Sequence, residues 1–255
     1  MAGFPPGTQR SSGTVAAMRR IVRREGVRGL TGRIGGRIWY SNDKFICRRS
    51  LTTPTRAFEP PLRSHARRFT AATNEFCAIY REFTDDTAFM ERFTGKVWCH
   101  VAFVDDDPAA FLWTSPGGVC EFPSPLNTSV RLGQGDAYVM ELYTRPAYRG
   151  KGLALLLYNT LSEELRGLGF KRAFLSVDVA NRASLRAMEK AGYDQLYLLL
   201  IRRRAPFERL IATPCLPEYE GGLRIERIGS GLLPFRRPRW AITVMEPGVV
   251  GSLPG

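Results

Sequence analysis

Across residues 137–193 the apolar positions switch between a period of two and a period of about 3.6. The switches predict strand, turn, helix, strand and helix in that order. Residues 137–144 alternate, with Tyr138, Met140 and Leu142 on one face and Val139, Glu141 and Tyr143 on the other. Arg145-Pro146 ends this strand. Leu153, Leu157, Leu161, Leu165 and Leu168 form the stripe of a helix over 153–168, with Gly167 and Gly169 at its end. Ala173, Leu175, Val177 and Val179 alternate on the next strand. Asn181 then opens a helix that runs through Lys190 and closes at Gly192.

The rest of the pattern is less regular. Residues 97–104 and 109–114 read as a hairpin across Asp105-Asp106-Asp107-Pro108. Adjacent carboxylates on a turn do not converge on a metal without other ligands, so this is a polar loop tip. Residues 37–51 predict one strand, or a tight hairpin turning at Ser41-Asn42-Asp43. Residues 60–95 read as one or two helices. Residues 115–135, with Pro116, Gly117, Gly118, Pro123 and Pro125, read as an irregular loop, and a long loop inside a domain is often functional. It is expected to border the functional site. Past Ala205 the chain is rich in Pro, Gly and Arg, with one strand at 240–245. Three regions follow: a basic, partly disordered arm at 1–33, a main domain at 34–204 and an extension at 205–255.

Composition narrows the function classes. The 255 residues are 44% hydrophobic, enough for a sizeable core. No apolar run approaches the ~18 residues that cross a bilayer, and residues 1–14 lack a secretory apolar stretch. The expectation is a soluble, cytoplasmic protein. Cys47, Cys77, Cys99, Cys120 and Cys215 are odd in number and form no Cys-x-x-Cys pair, which predicts buried free thiols in a reducing compartment. Neither His65 nor His100 sits at zinc spacing, so no metal cofactor is expected and a Ser-His-Asp enzyme is disfavoured. The net charge of +13 sits at one end. Residues 1–70 hold 15 Lys/Arg against 3 Asp/Glu, and the remainder 22 against 21.

Within residues 14–29 a basic amphipathic helix is expected, able to lie on a membrane surface or pack on its own domain. An Arg-rich, acid-poor start also fits an organelle transit peptide. Nucleic-acid binding by this arm is disfavoured, because aromatic residues are not interleaved with its arginines.

The turn Arg149-Gly150-Lys151-Gly152-Leu153-Ala154 is the strongest chemical signal. The first N–H groups of a helix lack internal partners, and the helix dipole adds positive potential there. Gly150 and Gly152 let an anion approach the backbone, and Arg149 and Lys151 add charge. No Lys-Ser/Thr pair follows the second glycine, so this is not a Walker A loop.

The run from Leu142 to Ala154 resembles the coenzyme A motif of the GNAT acyltransferases, in which a strand leads through a proline to Arg/Gln-x-x-Gly-x-Gly/Ala. Arg149, Gly152 and Ala154 match its fixed positions, and Asn181-x-x-Ser184 with Ala191-Gly192-Tyr193 resembles the second signature. The resemblance covers about 57 residues of the chain. It implies an α/β (α+β) fold, a mixed central sheet with helices on both faces. It implies acetyl-CoA as acyl donor. The backbone of Leu142, Tyr143 and Thr144 would pair with the pantetheine arm. The amides of Arg149, Gly150, Lys151, Gly152, Leu153 and Ala154 would hold the pyrophosphate. Asn181 and Ser184 would face the coenzyme.

Such enzymes usually transfer an acyl group directly to an amine, here a small molecule or peptide. An alkyl amine has a pKa of about 10 and must lose a proton to attack. Glu141, a carboxylate in a mostly apolar strand, is the candidate base, its burial expected to raise its pKa. A backbone N–H near Leu142 or Tyr143 would stabilise the oxyanion. The family often carries a Tyr acid seven residues after the Asn, where this chain has Met188. Tyr158 and Tyr193 are the alternatives, or the thiolate leaves unaided. Met188 keeps a second reading open, a non-catalytic acyl-CoA-binding or scaffold protein whose basic arm engages a partner.

Overall fold

The computed structural model describes residues 39–55, 58–59, 63–84, 92–93, 97–122, 128–204, 207–215, 223–228 and 239–244. The basic arm, the helix expected at 14–29 and parts of the expected 60–95 helices lie outside them. β1 (Trp39–Ser50) is one continuous strand. The turn weighed at Ser41-Asn42-Asp43 does not form. β1 pairs antiparallel with β8 (Arg172–Asp178) on one edge and with β9 (Asp194–Arg204) on the other. Those two ladders use the strand's backbone groups more fully than a local turn would.

Residues 64–69, expected within a helix, form the edge strand β2 (Ser64–Phe69) against β3 (Trp98–Val104). The helix of this region is shorter, α1 (Asn74–Arg81), and the Thr73 hydroxyl caps it by accepting the Phe76 N–H at 3.2 Å. The expected hairpin is present as β3 and β4 (Asp107–Pro116). Residues 115–135 are not a plain loop. They contain β5 (Val119–Phe122) and β6 (Thr128–Arg131), which pair with each other. β12 (Arg239–Val244) then joins β6 in parallel and β11 (Leu223–Ile228) follows it. β12 matches the strand expected at 240–245; β5, β6 and β11 are short, and β6 finds its second partner more than a hundred residues away, so local pattern gave no sign of those three.

Among the described residues, the main sheet runs β10 (Phe207–Pro214), β9, β1, β8, β7 (Asp136–Thr144), β4, β3, β2. On one face lie α2 (Leu153–Gly167) and α3 (Arg182–Lys190). Leu153, Leu157, Leu161 and Leu165 are buried there with Leu112, Val139 and Leu175. Leu168, the expected end of that stripe, is 57% exposed, because the helix stops at Gly167. On the opposite face α1 buries Phe76 and Tyr80 against Phe111 and Trp113. Beside them Val130 of β6 and Ile242 of β12 pack on Tyr138, Phe174 and Leu199. Helices thus cover both faces of a mixed sheet. Cys47 and Cys99 are buried free thiols, whereas Cys215 is exposed, contrary to the expectation for it.

Candidate active site

The site begins with an irregularity in β7. Trp113 of β4 pairs with Glu141, but the next residue, Thr114, pairs with Val139. Met140 is the extra residue of a β-bulge. Parallel pairing between β7 and β8 also ends at Val139, opposite Leu175. The two strands part where the bulge bends β7. The bulge breaks the strict alternation expected over 137–144. Val139 and Leu142 share the α2 face, while Met140 and Tyr143 pack on the α1 face. Beyond the bulge, Leu142, Tyr143 and Thr144 stay paired to β4, while no pair with β8 extends past Val139. That leaves their β8-side edge available to an added strand-like ligand.

The turn after β7 is anchored from outside. Arg145 donates from its backbone to the Ala109 carbonyl at 2.9 Å and from its guanidinium to Asp107 and to the Pro108 carbonyl, both at 2.8 Å. The Tyr148 hydroxyl donates to the other Asp107 oxygen. That hydrogen bond, with help from Arg145, holds the Asp107 carboxyl below its ordinary value. The hairpin tip read only as polar loop therefore clamps the turn, a role without a local sequence signal.

Gly150 and Gly152 both take positive φ, 75° and 77°, the region glycine tolerates best. Gly152 caps α2, whose first internal bond runs from the Leu156 N–H to the Gly152 carbonyl at 3.0 Å. The amides of Leu153, Ala154 and Leu155 lie outside that ladder. Thr55 donates to Glu163 of α2 from its backbone at 2.9 Å. This tethers the chain leaving β1, whose Phe58 ring lies over Gly152; a Cβ there would meet the ring at 2.7 Å.

A cleft of about 660 Å³ runs from this turn to α3. Of the residues expected to hold coenzyme, Leu142, Tyr143, Thr144, Arg149, Gly150, Gly152, Leu153, Ala154, Asn181 and Ser184 line it. Lys151 does not; its ammonium lies 5.2 Å from the Tyr148 ring centroid. Asn181 is the N-cap of α3, its side-chain oxygen accepting the Ser184 N–H at 3.1 Å. Ala183, Arg186, Ala187 and Lys190 also line the cleft. Their spacing puts them on one helical face, a pattern carried by the sequence itself. Arg149, Arg186 and Lys190 give the cleft three cations.

Where β7 and β8 part, a smaller chamber of about 200 Å³ opens. Val177, Tyr158 and Met188 line it from the α2 face. Lys44, Glu141, Ser176 and Asp178 line it as well. Asp178 accepts from Lys44 at 2.6 Å and Asn42 at 2.8 Å. Burial works against its ionisation, but those two hydrogen bonds outweigh it and hold the carboxyl below its ordinary value. Glu141 is not buried as expected. Its side chain is 44% exposed and accepts from Arg92 at 2.7 Å, because the bulge turns it off the packed α2 face.

A sheet whose parallel pair splays beside a glycine-bearing turn, with a cation-lined cleft between two helices, defines the α/β architecture of this chain. Residues 62–193, just over half of the chain, match the family model for the acetyltransferase (GNAT) family, and the chain belongs to that family. No curated protein matches it. Among solved structures it is similar to a GCN5-related N-acetyltransferase from Sphaerobacter thermophilus, at 15% identity and a TM-score of 0.48, over 75% of this chain and 59% of that one. It is also similar to a GCN5-related N-acetyltransferase from Kribbella flavida, at 15% identity and a TM-score of 0.45, over 71% of this chain and 67% of that one. A GNAT-family protein from Novosphingobium aromaticivorans shares 18% identity over 64% of this chain and 65% of that one, with a TM-score of 0.41. The chain thus spans less than two thirds of the length of the Sphaerobacter protein.

Proposed function

We propose that this protein is an acyl-CoA-dependent N-acetyltransferase, moving an acetyl group from acetyl-CoA to an amine of a small molecule or peptide by direct attack. The observation that carries this reading is the open edge of Leu142–Thr144 beside the cation-lined cleft, with a carboxylate at its inner end. The pyrophosphate lies on the free amides at the start of α2, and the pantetheine arm pairs with the open edge of β7. Arg186 and Lys190 face the remaining phosphate. The thioester then sits where β7 and β8 part. Glu141 takes the proton of the attacking amine after Arg92 swings away, directly or through water. Its exposure suits contact with an acceptor arriving from solvent. The free thiols at Cys47 and Cys99 fit a reducing compartment such as the cytoplasm.

A second reading is a coenzyme-binding protein without turnover. It is favoured by the engagement of Glu141 with Arg92 and by Met188 in the chamber. One experiment decides between them: incubation with acetyl-CoA and a panel of amines, following free thiol release. Binding without turnover on any amine supports the second reading. Saturating coenzyme at ~100 times its dissociation constant is expected to stabilise the fold by ~2.7 kcal/mol. No thermal shift with coenzyme A or acetyl-CoA would remove both readings.

A further inference from the structure

We infer that Lys44 is itself an acceptor: the chain acetylates this buried lysine from its own bound acetyl-CoA. The inference rests on the coenzyme site proposed above. Lys44 is 8% exposed, yet it lines the chamber where β7 and β8 part. Its ammonium donates to Asp178 at 2.6 Å, and Asp178 lines the same chamber. Strand alternation fixes their side of the sheet. Phe45, Leu175 and Val177 pack on the α2 face, and Ile46 and Phe174 pack on the other. Lys44, Ser176 and Asp178 therefore belong to the face away from α2. The Tyr138 hydroxyl, on that same face, donates to Ser176 at 2.9 Å. Val177, Tyr158 and Met188 line the chamber from the α2 face, so the chamber passes through the gap in the sheet. A coenzyme lying on the α2 side brings its thioester to this gap. Lys44 stands across it, on the side left open to an acceptor.

The choice of cation adds to the argument. The chain has five lysines against 32 arginines. Asp43, Asp107, Asp136 and Glu141 are each paired with an arginine, whereas Asp178 is paired with a lysine. A guanidinium keeps its proton and is no nucleophile; a lysine amine becomes one on losing its proton. Asp178 is placed to take that proton. Burial works against its ionisation, but the hydrogen bonds of Lys44 and Asn42 outweigh it and keep it a carboxylate. Its side chain is 45% exposed and passes the proton to water. The Lys44 Nζ lone pair then forms the C–N bond to the acetyl carbon. The C–S bond breaks and its electron pair leaves on the coenzyme sulfur. An alkylammonium has a pKa of about 10 and a carboxyl of about 4, so the first transfer runs uphill and the reaction is slow. Holding the amine beside the thioester offsets part of that barrier. The reaction stops after one event, because the amide nitrogen of the product is no longer a nucleophile and its charge is gone.

The test incubates the full chain with saturating acetyl-CoA and follows acetylation peptide by peptide by mass spectrometry. Lys44 is expected to be labelled about tenfold or more faster than Lys151, Lys171 and Lys190, although those three are exposed. Excess desulfo-coenzyme A, which cannot carry an acyl group, should suppress labelling of Lys44 and leave the slow labelling of the others. Acetic anhydride, which needs no coenzyme site, should reverse the order and label Lys44 last. Lys44→Arg, which keeps a cation beside Asp178, should lose the fast-labelled site and still bind coenzyme A by calorimetry. Labelling of Lys44 no faster than the exposed lysines, or undiminished by desulfo-coenzyme A, would overturn the inference. With coenzyme binding intact, that result would leave the coenzyme site standing. Failure of the wild-type chain to bind coenzyme A or acetyl-CoA would remove the site and the inference with it. Labelling of Lys44 without turnover on any added amine would support the inference and count only against a free amine as acceptor.

Discussion

Arg92 donates to Glu141 at 2.7 Å while its guanidinium lies 5.2 Å from the centre of the Trp113 ring. Trp113 and Glu141 face each other across the β4–β7 ladder, so one cross-strand pair holds the cation. A half-exposed ion pair contributes on the order of 0–1 kcal/mol, little enough for an arriving acceptor to displace it. Glu141→Gln is expected to lower kcat on an amine acceptor by about 10²–10⁴-fold, with coenzyme affinity unchanged by calorimetry. Full activity in that variant would take Glu141 out of the mechanism.

Gly152 tests the turn. An alanine there meets a positive φ and the Phe58 ring together. The left-handed backbone alone costs an L-residue about 1–2 kcal/mol. Gly152→Ala should lower the thermal midpoint and abolish coenzyme binding. Gly150→Ala, where a Cβ meets nothing within 4 Å, should keep the steric room and lose only the backbone contribution. Equal loss of binding in both would place the effect on backbone strain and not on crowding.

The Asp107 clamp gives a pH signature. Its carboxyl is held below the ordinary value chiefly by the Tyr148 hydrogen bond; burial opposes this, and the Arg145 hydrogen bond and charge add to the lowering. The contribution is therefore fully present above about 3.8 and lost as pH falls through the lowered value. Asp107→Asn should weaken coenzyme binding by the same factor at every pH from about 5 to 8. The difference from wild type should disappear only in stronger acid. A difference that grew between pH 5 and 8 would assign it to another group.

Arg186 and Lys190 are expected to make coenzyme binding at the proposed site dependent on salt. Replacing both by alanine is expected to weaken coenzyme A on the order of three- to tenfold at low ionic strength. Pantetheine, which lacks the phosphates, should bind the double variant as it binds wild type. Equal weakening of both ligands would show that the helix had shifted and that the charges were not the cause.

The chemistry-bearing segment was legible because its signals are local. A period of two, a glycine turn and a Leu stripe fall within 57 residues, and the structure keeps β7, α2, β8 and α3 close to the expected limits. The bulge at Met140 was not legible, since nothing in Val139-Met140-Glu141 differs from an ordinary alternating strand. That one residue decides the side taken by Glu141 and Leu142, and it sets where the sheet opens. The strands β5, β6, β10 and β11 were hidden for another reason. β5, β6 and β11 are only four to six residues long, with proline or glycine nearby, and β6 is completed by β12 far along the chain; β10 is longer and pairs with the adjacent β9, but no alternation marks it. Asp107 and Phe58 reach the turn only through tertiary contacts.

β1 lies inside the main sheet, third of its eight described strands, between β9 and β8. Asn42 and Asp178 are bonded across 136 residues of chain. A sheet with an interior rung from the first of its described strands cannot close from local hairpins alone, and loop closure over such distances slows folding. β8 is also one wall of the chamber. During synthesis that wall stays incomplete until the chain has passed Asp178, and β1 waits with both edges bare. Assembly of the gap between β7 and β8 is thus a late event, and a chain lacking β1 would lose that gap along with the sheet.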